Sequence, residues 1–144
     1  MTEGELGYAA GIFDGEGSVG IMVVKNGKGY VYHRLQLTIT NTNPEVIQWL
    51  FERWGGCIHN PRYFAKQEWR AAHRWTLADG RAMKFLKEIL PFLVIKKEQA
   101  TLGIQFQETK RRGGFGAPKP DLALRESIRK QISNLNQGHA EEEA

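Results

Sequence analysis

The sequence has one cysteine, Cys57, in 144 residues. That excludes an internal disulfide and any zinc site built from several thiolates, so neither a stapled secreted scaffold nor a zinc finger fits. Cys57 reads as a small buried side chain. No apolar stretch approaches the roughly 20 residues that a membrane helix needs. The start Met-Thr-Glu-Gly-Glu resembles neither a secretory signal nor an Arg-rich transit peptide. A soluble intracellular protein with no membrane partner is the expectation, with the compartment open between a prokaryotic cytoplasm and an organelle. The signatures GxxxxGK[ST] and HExxH are also missing, and with them the usual marks of a nucleotide-phosphate loop and a zinc protease. No organic cofactor is expected.

What is present is basic. Lys and Arg number 20 against 16 Asp and Glu, a net charge of +4, and the pI is near 9.3. Setting aside Glu141, Glu142 and Glu143 at the end of the chain leaves 13 acids against those 20 bases, a net +7. Such a body suits a polyanionic partner, although charge alone does not name one. With 41% apolar residues the chain can bury one sizeable core, and a single domain follows.

The segment Glu3–Phe13 carries Leu6, Ala9, Ala10, Ile12 and Phe13 without a proline, which predicts a short helix with small positions at Gly7, Ala10 and Gly11. Asp14-Gly15-Glu16-Gly17 reads as its exit, where glycine supplies positive φ. Val19, Ile21 and Val23 then alternate against Ser18, Gly20, Met22 and Val24, and Asn26-Gly27 signals a turn. A return strand runs from about Gly29 to Asn41, with Val31, His33, Leu35, Leu37 and Ile39 on one face and Tyr30, Tyr32, Arg34, Gln36, Thr38 and Thr40 on the other. Asn43 as N-cap and Pro44 at the first helical position begin a second helix, which Gly55-Gly56 stops. A second hairpin is predicted from Cys57–Tyr63 and Trp69–Leu77, with Arg70, Arg74 and Thr76 opposite Trp75 and Leu77. Asp79 is predicted to cap a helix through Leu90, Pro91 to break it, and Ile95–Thr109 to form another. Residues 110–120 are basic and rich in Gly and Pro and read as a mobile linker. Residues 121–136 read as a last amphipathic helix, and 137–144 as a disordered acidic tail.

The order α-ββ-α-ββ-α-α-α is an α+β layout: one antiparallel sheet covered by helices on a single face, in one domain over residues 1–136. The open face would present Tyr30, Tyr32, Arg34, Gln36, Thr38, Thr40, Arg62, Arg70, Arg74 and Thr76, with Ser18, Lys25, Asn26, Lys28 and Asn60 extending it. Trp69, near the hairpin tip, is one further aromatic that could touch a partner. This chemistry suits phosphates and base edges, and a two-stranded ribbon can enter a major groove. The same residue types also make the ordinary solvated outside of a sheet, so alternation alone leaves both readings open. His33, His59, His73 and His139 show no metal-ligand spacing and read as structural.

Ala9-Ala-Gly-Ile-Phe-Asp-Gly-Glu-Gly17, running into Ser18-Val19, resembles the signature of the LAGLIDADG homing endonucleases, with Ala9 where a leucine is usual and Glu16 where many relatives carry Asp. Pro91-Phe-Leu-Val-Ile-Lys96-Lys-Glu-Gln-Ala100 resembles the second recurrent segment of that family. The resemblance covers Leu6 to about Phe106. It implies the α-ββ-α-ββ-α fold with a saddle-shaped sheet, and a site-specific endonuclease acting on double-stranded DNA at a long pseudo-palindromic target. A single copy of the motif implies a homodimer, paired where Gly7, Ala10 and Gly11 let two helix backbones approach.

The implied metal ligands are the Glu16 carboxylate and the Gly15 carbonyl, gathered near the twofold axis around Mg²⁺. Mn²⁺ would substitute, and Ca²⁺ would bind without supporting efficient cleavage. Lys96 maps to a basic residue that supports the attacking water or the phosphate charge. Asn43 aligns with a polar residue of the site, but this is the weakest carry-over, because helix capping already explains it and is the favoured reading. Asp14 maps to a helix-terminus residue and not to a ligand. A non-cleaving relative, such as an intron-RNA maturase or a DNA-binding regulator, is the alternative.

Overall fold

A computed structural model of the chain describes residues 1–60, 72–110 and 121–142, with side chains to residue 137. Thr2 opens the first helix, α1 (Glu3–Glu16). Its hydroxyl accepts from Glu5 N at 3.1 Å while the Glu5 carboxylate turns back to Thr2 N, a capping box. The helix does not leave at Asp14-Gly15 but runs through Glu16. Gly17 ends it with φ −87°, so positive φ is not why glycine stands there. A Cβ on Gly17 would lie 2.3 Å from the Phe13 ring and 2.7 Å from the Phe13 carbonyl oxygen. Only glycine lets the chain pass over Phe13 straight into β1 (Gly17–Lys25). The G-x-G-x-x-G spacing of Gly15, Gly17 and Gly20 therefore runs from helix into strand, the reverse of the strand-to-helix turn of a dinucleotide site.

β2 (Val31–Asn41) pairs antiparallel with β1, Gly17 opposite Ile39 and Lys25 opposite Val31. Residues 26–30 replace the tight Asn-Gly turn expected from sequence. Asn26 Oδ1 accepts from Lys28 N and Tyr30 N, and the positive φ falls on Gly29. Asn43 Oδ1 accepts from Glu45 N at 2.8 Å and so caps α2 (Pro44–Trp54), which Gly55 and Gly56 end at positive φ. β3 (Cys57–His59) and β4 (His73–Ala78) complete an antiparallel sheet in the order β1-β2-β4-β3. The segment between them, with Arg62, Trp69 and Arg70, lies outside the described residues, as does most of the expected linker.

After β4 come α3 (Asp79–Ile89), a short 3-10 turn at Leu90–Phe92, α4 (Lys97–Glu108) and α5 (Leu122–Glu142). Asp79 does not cap α3: it is the first helical residue, at φ 57°, and no side chain caps that end. α5 continues past Asn136 to Glu142, where a disordered tail was expected; the Ala and Glu residues there are good helix formers.

Period-2 alternation holds where helices cover the sheet. His33, Leu35, Leu37 and Ile39 of β2 are buried, with Trp75 and Leu77 of β4, against Phe13, Phe85 and Phe106 from three helices. Phe85 takes the edges of Phe13 and Trp75 at 5.7 and 5.3 Å. Val23 and Val31 lie beyond this cover and are exposed, and so is Cys57, which the sequence suggested was buried. α5 closes the β1 edge, where Asn136 Nδ2 donates to the Val19 carbonyl at 3.0 Å and so satisfies an edge-strand acceptor. On the same helix Glu126 bonds both His33 Nε2, at 3.0 Å, and Arg129.

Candidate active site and nucleic-acid interface

The four strands contain no Asp or Glu, and their full cations are Lys25, Arg34 and Arg74. Two carboxylates bracket them: Glu16 just before β1 and Asp79 just after β4. On the face away from the core, Ser18, Tyr32, Arg34, Thr40 and Arg74 are exposed, with Gln36 and Thr38 partly so, whereas Lys25, expected there, pairs with Val31 and is exposed on the opposite face beyond the helical cover. Lys28, Tyr30 and Asn60 are exposed on the adjoining loops. Thr76 departs from expectation. It is 9% exposed, because it sits on an inner strand between Thr38 and Cys57. The side-chain oxygen of Asn26 is committed to its turn, and that of Asn60 is shared with His73 Nδ1 at 3.1 Å.

Glu16 is exposed at the C-terminal end of α1. The negative end of the helix dipole lies there, and the last turn carries no basic residue, so this corner attracts cations. Because Gly17 pairs with Ile39, Asn41 falls beside Glu16, and Asn41 Nδ2 donates to Glu16 Oε2 at 2.6 Å. Asn41 Oδ1 accepts from Asn43 N at 2.7 Å, which fixes the amide's orientation. Asn43, expected in the site, is corrected by this geometry. Its side chain caps α2, and the polar group that reaches the carboxylate belongs to Asn41. One signal in the sequence marked it: Asn41 is the polar residue that ends the otherwise mostly apolar face running from Val31 through Ile39.

The second recurrent segment docks on the same corner. The Asp14 carboxylate accepts from Val94 N at 2.8 Å, Ile95 N at 3.2 Å and Lys96 N at 3.0 Å, and Lys96 Nζ donates to the Asp14 carbonyl at 2.7 Å. Asp14 is thus a tie between α1 and the start of α4, as a helix-terminus role implies. Desolvation lowers the Lys96 pKa from the usual lysine range, and the Asp14 charge partly opposes that.

Along α1, Gly7, Gly11 and Gly15 recur every fourth residue, and nothing lies within 4 Å of a Cβ placed on any of them. With Tyr8, Ile12, Asn41 and Val46 they line a shallow groove that ends at Glu16. Ala10, expected on this surface, is instead 0% exposed: it stands on the core side of α1, and Gly15 takes its place in the stripe. Val94 and Ile95, tied to Asp14, are 82% and 58% exposed at the same end.

Among the described residues no three His, Cys, Asp or Glu side chains gather in one chain as a metal site. The oxygen donors at this corner, the Glu16 carboxylate and the neighbouring backbone carbonyls, are hard and suit Mg²⁺ or Ca²⁺. One chain supplies fewer than the six or more such ions take. The remaining positions would be left to water or to groups from outside the chain. His33 is spent on Glu126, and among the described residues no imidazole pattern for a transition metal is present. Among the described residues no helix is long and apolar enough to cross a membrane.

No protein-family model and no curated protein matches the chain. Solved structures do. The homing endonuclease I-CvuI, in complex with its target in the presence of calcium, aligns at TM-score 0.68 and 16% identity over 91% of this chain and 81% of that one. The archaeal intron-encoded homing endonuclease I-Vdi141I, complexed with DNA, aligns at TM-score 0.59 and 18% identity over 91% and 98%. The homing endonuclease I-TnaI aligns at TM-score 0.61 and 16% identity over 94% and 96%.

Proposed function

We propose, from the LAGLIDADG homing endonuclease fold that this chain has, that two copies of it form a site-specific endonuclease that cuts both strands of duplex DNA with the help of a divalent cation. The observation that carries the reading is Glu16, exposed at the negative end of α1, held by Asn41, and placed where the uncovered glycine stripe meets an acid-free sheet. Pairing of two α1 stripes would bring two such carboxylates together, and like charges at an axis favour a cation between them.

Mg²⁺, held by Glu16 and the Gly15 carbonyl of both copies, would supply an activated water and charge relief at the leaving oxygen of a phosphodiester. The rest falls to the chain. Asn41 fixes the carboxylate's direction. Lys96 carries its charge at the same end of α1, where a scissile phosphate would lie, and its reduced desolvated basicity suits proton exchange with a water. Arg34, Gln36 and Arg74 extend the contact along the duplex, in keeping with major-groove and phosphate recognition. Arg62 and Arg70, outside the described residues, stay with this surface as part of the proposal, as do Ser18, Lys28, Tyr30, Tyr32, Thr38 and Thr40.

The test is incubation of the purified protein with a library of duplexes and Mg²⁺. Double-strand cuts in one narrow sequence class, absent from Glu16→Gln, are expected, with binding that weakens steeply as salt rises. Binding without cleavage under any divalent ion would favour a non-cleaving DNA-binding module, and preferential capture of a structured intron RNA would favour a maturase. Undiminished cutting by Glu16→Gln would remove the assigned site.

A further inference from the structure

The second bracketing carboxylate, Asp79, has no part in the site at Glu16. It follows the Gln36–Ala78 pair, about midway along β2, where its Oδ2 accepts from Arg34 Nε at 3.1 Å. The pair is open to solvent, the two side chains 48% and 45% exposed, and such a bridge adds little to stability. Asp79 also sits at φ 57°, the one non-glycine residue with positive φ among those described, a conformation glycine adopts freely and aspartate at a modest cost that its short polar side chain can offset. An acid thus stands in a left-handed conformation beside described strands that otherwise carry none. Among the described residues Nε makes the only hydrogen bond of the Arg34 guanidinium, and the two terminal nitrogens make none.

We propose that Asp79 is a specificity-determining residue of the nucleic-acid surface: it holds the Arg34 guanidinium as a fixed fork that reads a guanine through O6 and N7, instead of a mobile cation that settles on any phosphate. The inference rests on the DNA-binding reading above. The guanidinium is planar in any case; a bond at Nε restrains the direction of that plane and leaves both terminal N–H pairs for bidentate guanine recognition. Arg34 stands seven residues from Asn41 on β2, about 23 Å along an extended strand. At ~3.4 Å per base pair that places the guanine roughly seven pairs out from the Glu16 end, in each half of a symmetric target.

The experiment is capture of duplexes from a pool randomised over the whole site, by full-length protein in calcium without cleavage, followed by sequencing of the bound fraction. The proteins are wild type, Asp79→Gly, Asp79→Asn, Arg34→Ala and the double variant Arg34→Ala with Asp79→Gly. Asp79→Gly removes the carboxylate and relieves the backbone, so its melting temperature should not fall below that of wild type. Wild type should enrich guanine at one outer position per half-site, and Asp79→Gly should lose about tenfold of that preference, on the order expected for one bidentate contact. Asp79→Asn, which keeps an acceptor, should retain part of it. On the Arg34→Ala background Asp79→Gly should change nothing. Unchanged base preference in Asp79→Gly, whether overall binding tightens or not, overturns the inference while leaving the DNA-binding reading intact. Failure of wild type to enrich any duplex overturns that reading itself.

Discussion

Replacing Asn41 by aspartate puts a second carboxylate where an amide now holds Glu16. The Asn41 nitrogen lies 2.6 Å from Glu16 Oε2, so the substitution trades a hydrogen bond for two like charges at that separation. Both side chains are open enough to water for a high dielectric to apply, and Coulomb's law then gives a repulsion of about 1.6 kcal/mol. Rotation of either side chain relieves part of it, while loss of the hydrogen bond adds roughly 1 kcal/mol. A net destabilisation of about 1–2 kcal/mol at pH 7 follows, or about 3–6 °C in melting temperature for a domain of this size. The deficit relative to wild type should shrink near pH 4, where carboxylates protonate. Millimolar calcium should raise the melting temperature of the variant more than that of wild type, because a cation turns the repulsion into a shared ligand set. Thermal unfolding followed by circular dichroism, at pH 7 and pH 4 with and without calcium, reads all of this. A deficit that does not shrink toward pH 4, or that calcium leaves untouched, would refute the pairing of these two side chains and the cation-binding character of the corner.

Asn43→Ala should cost about 1 kcal/mol through loss of the α2 cap, with cleavage lowered far less than by Asn41→Ala; equal losses of cleavage would contradict the separation of the two roles. Gly17→Ala forces a Cβ to within 2.3 Å of the Phe13 ring and 2.7 Å of its carbonyl oxygen, and overpacking against a helix backbone should destabilise by about 2–3 kcal/mol. Gly20→Ala, with nothing within 4 Å, should change chemical-denaturation stability by less than about 0.5 kcal/mol. Hydrogen bonds from Arg129 and then His33 lower the Glu126 pKa to about 2 from a usual value of 4.5. Its contribution to α5 docking is therefore fully present above about pH 4.5 and lost as pH falls toward 2. Hydrogen exchange of α5 should rise across that window in wild type and lose this pH dependence in Glu126→Gln.

Much of this arrangement was legible from residue order, because local rules agreed with the global fold. The capped start of α2, the long alternation of β2 and the Pro91 break are decisions that a few neighbouring residues make. The failures lie where tertiary contacts override local preference. Gly17 looked like a positive-φ exit and is instead a steric requirement of the Phe13 ring. Asp79 looked like a cap and is turned away by Arg34, distant in sequence. Ala10 looked like part of an external stripe because α1 has small residues on two sides, and its sequence does not say which side the sheet will cover. Asn41 was passed over in favour of Asn43 because a helix start is visible in sequence, whereas the strand register that brings Asn41 to Glu16 is not.

The proposed function requires Glu16 to act as one of a pair. Wild type and Glu16→Gln, carrying separable tags and refolded together, give mixed dimers that can be purified and offered the target duplex with Mg²⁺. Mixed dimers should bind as tightly as wild type and make no double-strand cuts, leaving at most a nick in one strand. Double-strand cleavage by the mixed species at the wild-type rate, or purification of both chains only as monomers under conditions where wild type cuts, would contradict it.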